Sequence, residues 1–278
     1  MPTILGAHSP RIAALRELRT SAGRRAAGRF AVDGTTMLGE ALAAGRTPEA
    51  LFATARGLSD LNADPRFVTL AAEALVVPDR AMAKLSDVVT PPGVLAVYRA
   101  QIRALDELLA DGEPGLVLAG LNDPGNAGTL LRTAEIFGIT AAIFGSGGVE
   151  PYHPKVVRAS MGAIFRMRIA TSSAQELTLA ARANRYEVVA LGLGGTPLPH
   201  FRFERRALIA VGNERRGTES FLERVDREVA VPQRGAGESL NAAIAGGIVL
   251  YAFARAQEAG TSPVNVAESL NLSRLGGR

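Results

Sequence analysis

The chain contains no cysteine, and this absence excludes disulfide bonds, thiolate metal sites and cysteine nucleophiles. Its three histidines, His8, His153 and His200, are too scattered to form a metal-binding pattern, so we expect no metal site. The longest apolar run, residues 242–254, is shorter than the roughly 20 residues that a membrane helix needs. The first residues also lack the pattern of a secretory signal. We therefore expect a cytoplasmic protein without a membrane-spanning segment.

Lysine is scarce as well, since Lys84 and Lys155 are the only two, so nearly all basic residues are arginines. Residues 1–30 hold a cluster of them beside one acid, Glu17: Arg11, Arg16, Arg19, Arg24, Arg25 and Arg29. Such a basic segment attracts the phosphates of nucleic acid through counterion release. We predict that Arg24 and Arg25 hold RNA; a merely solvated helix is the alternative.

The order of apolar segments predicts an α/β protein of two domains. Residues 1–100 form a small first domain, 101–115 an acidic linker, 116–260 a second domain and 261–278 a loosely ordered tail. In the first domain we predict strands at 29–33, 50–54, 67–70 and 93–98, and helices at 35–44 and after Pro78. In the second domain, strands at 116–121, 140–144, 165–169, 187–191, 207–211 and 228–231 alternate with helices that include 126–137 and 239–258. Continuous apolar strands between helices indicate a parallel sheet covered on both faces.

Three polar, glycine-containing segments follow predicted strands of the second domain: residues 122–132, 212–217 and 232–241. Ligands of open parallel sheets bind beyond the carboxyl ends of the strands, and glycines let the backbone approach a ligand closely. Each segment alone is more often a simple turn. A dinucleotide fingerprint is excluded, because the glycines at 192 and 194 are followed by Pro197 where the third glycine would stand.

Taken in order, the three segments resemble the signature motifs of the SpoU/TrmH family within the SPOUT class of RNA methyltransferases. The first resembles N-P-G-N-x-G-x-x-x-R and places Arg132 at the arginine position. The second resembles G-N-E-x-x-G, with Glu214 as its acid. The third resembles I-P-M-x-G-x-x-x-S-L-N, with matches at Pro232, Gly235, Ser239, Leu240 and Asn241. The likeness spans about residues 115–258, and residues 1–100 look like the substrate-binding domain often fused to these enzymes.

The resemblance implies a C-terminal α/β domain with a parallel sheet and a deep trefoil knot, an exception to the rule against threaded chains. It also implies that S-adenosylmethionine lies bent in the knot. The residues that would line its site are Leu191, Gly192, Gly212, Val231 and Leu240. The chain departs from the family pattern at Gln233 and Thr218, which bears on the shape of the pocket.

Arg132 is the residue to which the resemblance assigns the ribose hydroxyl or the adjacent phosphate. A guanidinium stays protonated, so orienting phosphate and stabilising a developing alkoxide are easier for it than acting as a base. Helical geometry places Arg132 almost opposite the apolar stripe of its helix, yet Ile136 lies one turn further on that outer side. A dimer partner would explain both features; an exposed structural arginine is the alternative.

The other polar motif residues have structural alternatives. Asn126 either caps its helix or contributes polarity to the site, and Glu214 either holds a loop or acts in the site. Ser239 is a natural cap for the last helix, but together with Asn241 it also falls where substrate or donor would sit. Lys155 and Arg158 are predicted to guide the RNA strand, with an ordinary surface charge pair as the alternative.

The last helix is apolar almost all round, which predicts that it is buried on every side. The resemblance implies a homodimer packed partly through it; a monomer with a deeply buried helix is the alternative.

The resemblance implies an S-adenosylmethionine-dependent methyltransferase that acts on a ribose 2′-hydroxyl of RNA. Ribosomal RNA is the expected substrate, because members of the family with a separate N-terminal domain usually act on a large structured RNA. The alternatives are a tRNA ribose methyltransferase and a non-catalytic RNA-binding protein on the same scaffold. A nucleotide-dependent oxidoreductase is disfavoured by the missing fingerprint.

Overall fold

The computed structural model describes residues 4–6, 9–86, 88, 90–213, 217, 218, 221, 222, 225–235 and 239–259. The first hundred residues contain, in order, α1 (Pro10–Glu17), α2 (Ser21–Ala27), β1 (Arg29–Asp33), α3 (Gly34–Ala43), β2 (Ala50–Ala53), α4 (Ala55–Ala63), α5 (Val68–Glu73), β3 (Leu75–Val76), α6 (Asp79–Leu85) and β4 (Val94–Arg99). Their strands form a four-stranded sheet in the order β1-β4-β2-β3. β4 is antiparallel to both neighbours and buried almost throughout, because helices cover both faces of the sheet.

The rest of the described chain contains β5 (Ile102–Arg103), α7 (Leu105–Leu109), β6 (Gly115–Ala119), α8 (Pro124–Ile136), β7 (Ala141–Gly145), α9 (Pro154–Ala159), α10 (Ala163–Arg166), β8 (Arg168–Ser172), α11 (Ala174–Ala183), β9 (Glu187–Pro197), β10 (Ala207–Gly212), β11 (Arg227–Ala230) and α12 (Ala242–Ala259). Its strands form a seven-stranded sheet in the order β11-β9-β10-β6-β7-β8-β5, and every pair is parallel. The central strands β6, β7 and β10 are buried along their whole length. The predicted α/β class with a parallel sheet is confirmed.

Two strand predictions were wrong. Residues 67–70 begin helix α5, because Phe67 and Ala71 lie four residues apart and are both buried, while Val68 is left exposed. The segment predicted as strand 165–169 is divided between one turn of helix, α10, and the start of β8. Gly162 adopts a left-handed conformation before α10, which turns the chain so that Phe165 packs against the ring of Tyr98.

The segment predicted as a linker, residues 101–115, contains β5 and α7. β5 pairs with β8 at the edge of the large sheet, and Leu108 and Leu109 of α7 are fully buried against that sheet. This segment is thus packed as part of the second sheet, whereas the division into two domains stays a prediction.

Aromatic and charged contacts join the two sheets. Phe30 of β1 stacks on Tyr152, with ring centroids 4.3 Å apart. Arg166 of α10 donates to Glu135 of α8 and to Glu40 of α3, with a nitrogen-to-oxygen distance of 2.8 Å in each case. The hydrogen bond to Glu135, followed by that to Glu40, raises the pKa of the Arg166 guanidinium. The small sheet is therefore held against the α8 side of the large one.

Within a single chain, helix α12 is buried on one side and not all round. Its inner face packs on β10 and α8, where Val249, Leu250 and Phe253 are buried, but Ile244 and Tyr251 are 57% and 53% exposed. None of the described helices is both long and apolar enough to span a bilayer. The described residues leave out 214–216, 219, 220, 223, 224, 236–238 and the tail predicted at 261–278. The trefoil knot and the loosely ordered tail stay predictions.

Candidate functional site

A cavity of about 870 Å³ opens at the carboxyl end of β10, beside the middle of β9, β11 and the start of α12. This volume is within the range of small-molecule sites. The structure brings together in its walls every residue that was predicted to line a donor site, namely Leu191, Gly192, Gly212, Val231 and Leu240. Ser239 and Asn241 lie in the same walls. The second and third motif segments therefore meet at one cavity.

One wall of the cavity is produced by a bulge in β9. Glu228 of β11 pairs with Ala190, but the next residue, Val229, pairs with Thr196, so the intervening residues of β9 leave the regular ladder. Leu191, Gly192, Leu193 and Gly194 lie in this bulge and line the cavity. The bulge thus places these residues beside the cavity, outside the regular pairing with β11.

The two ends of the second motif are joined by backbone hydrogen bonds at the end of β10. The Asn213 and Gly217 backbones exchange hydrogen bonds of 2.9 and 2.8 Å, and Gly217 has a φ of 58°. A Cβ on Gly212 would overlap the backbone of Gly217 and Thr218, so glycine is required at this position. Glu214, the acid of this motif, lies outside the described residues.

A side-chain hydrogen bond joins the first and third motif segments, which are far apart in sequence. The Asn241 Nδ2 donates to Asn126 Oδ1 at 3.0 Å. The Asn241 Oδ1 accepts from the backbone N–H groups of Ala243 and Ile244, at 2.9 and 3.3 Å, and thereby caps α12. Asn241 thus fixes the start of α12 and the start of α8 against each other.

The predicted caps need correction. Asp123, not Asn126, caps α8, because its Oδ1 accepts from the Asn126 N–H at 2.7 Å and Pro124 occupies the first helical position. Ser239 does not cap the last helix, which starts at Ala242 after Asn241. The side chain of Asn126 is directed toward the third motif, and Ser239 lies in the cavity wall.

Arg132 is exposed on the outer face of α8 and is not among the residues that line the cavity of its own chain. Ile136, one turn further along the same face, is 63% exposed. The ring of Phe137 contacts the ring of Tyr251 in α12, and the centroids of the two rings are 5.5 Å apart. The outer faces of α8 and α12 therefore form one continuous surface that carries exposed apolar side chains around Arg132.

The structure separates the two arginines that were predicted to hold RNA. Arg24 is 6% exposed; it donates to Glu150 and to the backbone carbonyls of Leu18 and Arg19. Its guanidinium is thus engaged inside the protein, which corrects the prediction that it contacts RNA. Arg25, the next residue, is exposed.

Lys155 and Arg158 both lie on α9, next to the first motif. The Lys155 Nζ is exposed and 3.7 Å from Asp123 Oδ2, the cap of α8. Arg158 Nη1 is buried, and no hydrogen-bond partner for it is found among the described residues. Lys155 therefore stands at the edge of the first motif.

Sequence reasoning missed Glu228, the one charged side chain among the described residues that line the cavity. It was placed at the beginning of a predicted strand, away from the ligand edge. Its carboxylate reaches the cavity because of the bulge opposite it, and a Cβ on Gly192 would lie 2.9 Å from its Oε2. The local signal of that bulge is the set of glycines at 192, 194 and 195, because glycine inside a strand often marks a bulge. Within the described part of the chain there is no group of side chains suited to hold a metal ion.

Known proteins share both parts of this architecture. Residues 114–251 match the SpoU rRNA Methylase family, and residues 9–96 match the MRM3-like substrate binding domain. An uncharacterized tRNA/rRNA methyltransferase of Synechocystis is 31% identical over 94% of this chain and 96% of its own length. The 23S rRNA (guanosine(2553)-2′-O)-methyltransferase RlmP of Bacillus subtilis is 26% identical over 90% of this chain and 98% of its own.

A solved structure extends the likeness to three dimensions. The AdoMet-bound rRNA methyltransferase from Sinorhizobium meliloti superposes with a TM-score of 0.77 at 25% identity, over 92% of this chain and 98% of that one. Both the sequence relatives and this structure are matched along nearly their full length, so the likeness is not confined to the cavity. The predicted family is confirmed: this chain belongs to the SpoU family of RNA methyltransferases.

Proposed function

We propose that this protein transfers a methyl group from S-adenosylmethionine to a ribose 2′-hydroxyl of ribosomal RNA. The observation that carries the proposal is the meeting of the three motif segments, two in the walls of the cavity and the first attached through the Asn126–Asn241 hydrogen bond. The names of the relatives support both the reaction and the substrate, since RlmP is a 23S rRNA 2′-O-methyltransferase and the superposed Sinorhizobium enzyme was crystallised with this donor.

The cavity fits a donor of this chemistry. Leu191, Val231 and Leu240 would provide apolar surface for the adenine ring, and the backbone of Gly192 and Gly212 can approach the ligand without side chains. Glu228 would place a negative charge near a donor that carries a sulfonium cation.

S-adenosylmethionine supplies an electrophilic methyl group, so the protein has to align the ribose hydroxyl and assist the loss of its proton. We assign Arg132 to the phosphate beside that hydroxyl and to the negative charge that develops on its oxygen. Asn126, Ser239 and Asn241 would give the site its remaining polar groups, and Glu214 is proposed to act with them.

Because Arg132 lies outside the cavity of its own chain, we propose that the active form is a homodimer. The surface around Arg132 carries exposed Ile136, Ile244 and Tyr251, and an apolar surface of this kind is typical of a protein interface. Pairing of two copies through it would bury these side chains and bring each Arg132 toward a cavity of the partner.

The remaining features belong to the same proposal. Residues 1–100 would form the RNA-binding domain and 116–260 the methyltransferase domain with its trefoil knot, in a cytoplasmic protein. Exposed Arg25 on α2 and exposed Lys155 on α9 would contact the phosphates of the RNA, together with Arg158 of the same helix as Lys155. Arg25→Ala is expected to weaken RNA binding and to lower the salt slope of the binding constant by about one.

The test compares the wild-type protein with Arg132→Ala. We expect the wild type to transfer tritiated methyl groups from S-adenosylmethionine to ribosomal RNA, at a ribose that mapping identifies. In the variant we expect at least about a 100-fold loss of transfer, with the affinity for the donor unchanged by calorimetry. Full activity of Arg132→Ala would contradict the role of Arg132. A wild-type protein that methylates tRNA but not ribosomal RNA would contradict the proposed substrate. A wild-type protein that gives no heat of binding with S-adenosylmethionine would contradict the proposed function.

A further inference from the structure

A carboxylate in the loop between β7 and α9 receives several hydrogen bonds from the N-terminal arm, here defined as residues 18–27. Glu150 Oε2 accepts from the Ser21 hydroxyl at 2.6 Å, and Oε1 accepts from the guanidinium of Arg24. Arg25 approaches the same carboxylate at 3.8 Å. Glu150 therefore joins helix α2 of the arm to a loop that follows a central strand of the large sheet.

Arg24 has no second acidic partner among the described residues. Its Nη1 donates to the carbonyls of Leu18 and Arg19 at 2.8 and 2.9 Å, while its remaining bonds go to Glu150. Because Arg24 is buried, removing the charge of Glu150 would leave a buried cation without a counter-charge, which strongly disfavours the docked position of the arm.

The loop that carries Glu150 touches the first motif on both sides. Before Glu150, the Val149 N–H donates to the Leu121 carbonyl at 2.8 Å, directly ahead of residues 122–132. After it, the His153 side chain caps α9, and Lys155 in the first turn of that helix lies 3.7 Å from Asp123, the cap of α8. A short chain of contacts thus runs from the arm, through Glu150, to the helix that bears Arg132.

The rest of the interface between the sheets does not depend on this carboxylate. The Phe30–Tyr152 stack and the Arg166 ion pairs hold β1 and α3 against the large sheet by themselves. Tyr152 is further fixed by hydrogen bonds of its hydroxyl to the backbone of Gln101, at 3.0 and 2.9 Å. Loss of the Glu150 charge should therefore release the arm without separating the sheets.

We propose that Glu150 is a positioning residue for the RNA substrate: it holds the basic arm, with Arg25 at its surface, in one fixed place relative to the first motif. The proposal rests on the function proposed above. Its consequence is that RNA bound to the arm has one fixed alignment with the cavity. Binding of the methyl donor is independent of Glu150.

The experiment uses the full chain with Glu150→Gln, and with Ser21→Ala as a milder second variant in case the first fails to fold. Glu49→Gln is the matched control, because Glu49 forms an exposed ion pair with Arg29 on the same small sheet. We expect Glu150→Gln to raise the KM for RNA about tenfold, Ser21→Ala to raise it less, and neither to change the affinity for S-adenosylmethionine.

A second readout reports the position of the arm without any activity. Since the chain has no cysteine, Ala26→Cys on α2 and Arg182→Cys on α11 permit spin labels at two exposed positions. We expect the distance distribution between the labels to broaden in Glu150→Gln and to stay narrow in Glu49→Gln.

Two results would overturn the inference. One is a KM for RNA and a label distribution in Glu150→Gln equal to those of Glu49→Gln. The other is a loss of affinity for S-adenosylmethionine in Glu150→Gln that is as large as the rise in KM for RNA. That result would show that Glu150 merely supports the fold of the loop. A wild-type protein that methylates no RNA would refute the proposed function instead, and the label distances would then still test the docking of the arm.

Discussion

Asn241 serves two structural purposes with one amide group. Its oxygen caps α12, and its nitrogen donates to Asn126 at the start of α8. A cap contributes about 1 kcal/mol to stability, and an added hydrogen bond contributes a similar amount. The arrangement of the polar groups beside the cavity therefore depends on this residue more than on its partner.

We expect Asn241→Ala to lower the free energy of unfolding by about 2 kcal/mol, because it removes both the cap and the bond to Asn126. Asn126→Ala should cost about 1 kcal/mol, because the cap remains. Urea denaturation measures both. The control is Asn62→Ala. Asn62 is an exposed asparagine on α4 that donates to the Leu58 carbonyl, and its loss should lower the free energy of unfolding by less. Equal losses in the two site variants would contradict the double role.

Glu228 supports a second prediction at this scale. S-adenosylmethionine carries a sulfonium charge that its product S-adenosylhomocysteine lacks, so a nearby carboxylate should favour the donor over the product. We expect Glu228→Gln to weaken donor binding about three- to fivefold and to leave product binding nearly unchanged, as measured by calorimetry. Glu73→Gln removes the same charge at the end of helix α5, away from the cavity, and should alter neither affinity. Equal losses for both ligands would show that charge is not the cause.

These two residues also show where sequence reasoning succeeds and fails. Asn241 was found because its motif follows a predicted strand, and the carboxyl ends of parallel strands share one edge of the sheet. Glu228 was missed because its position depends on a bulge in another strand. The partner of Arg24, Glu150, is 126 positions away, so no local pattern distinguishes this buried arginine from exposed Arg25.

At the scale of elements, the contact between α12 and its neighbours depends on the first of two consecutive glycines. A Cβ on Gly246 would lie 2.5 Å from Leu130 Cδ2 and 3.0 Å from Val211 Cγ2. A Cβ on Gly247 would meet Thr133 at 3.5 Å, which is an ordinary contact. Gly246 therefore permits close packing on α8 and β10, whereas Gly247 does not require the absence of a side chain.

We expect Gly246→Ala to destabilise the protein by about 1–3 kcal/mol, because Leu130 is fully buried and has little space to move. The neighbouring Gly247→Ala serves as the control. It should be neutral or stabilise the helix by up to about 1 kcal/mol through helix propensity. Thermal unfolding of both variants measures the difference. A Gly246→Ala protein that is as stable as the wild type would contradict the close packing of α12 on α8.

Strand and helix types were predictable where the apolar pattern was long and regular. The buried runs of β6, β7 and β10 were found within a residue or two, because strands buried on both faces read as continuous apolar segments. Short segments were ambiguous: residues 67–70 contain Phe67 and Val68, which favour a strand, but the spacing of Phe67 and Ala71 made them helical.

At the scale of the whole molecule, the surface around Arg132 leads to a prediction about assembly. Ile244→Asp places a charge in the exposed apolar face of α12, and burying that charge in an interface would be costly. We expect this variant to run as a monomer in light scattering after size exclusion and to lose methyl transfer. Leu179→Asp introduces the same charge at a leucine on α11 that is equally exposed, and should behave as the wild type. A wild-type monomer would contradict the dimer.

The order of strands in the large sheet has a consequence for biosynthesis. The small sheet is built from contiguous residues 29–99, so it can form while the ribosome is still making the second one. The wall of the cavity comes instead from β9, β10, β11 and α12, which emerge after the small sheet, and β11 joins β9 rather than the strand made just before it. A nascent chain would therefore form the small sheet first and complete the walls of the cavity only after α12 has emerged.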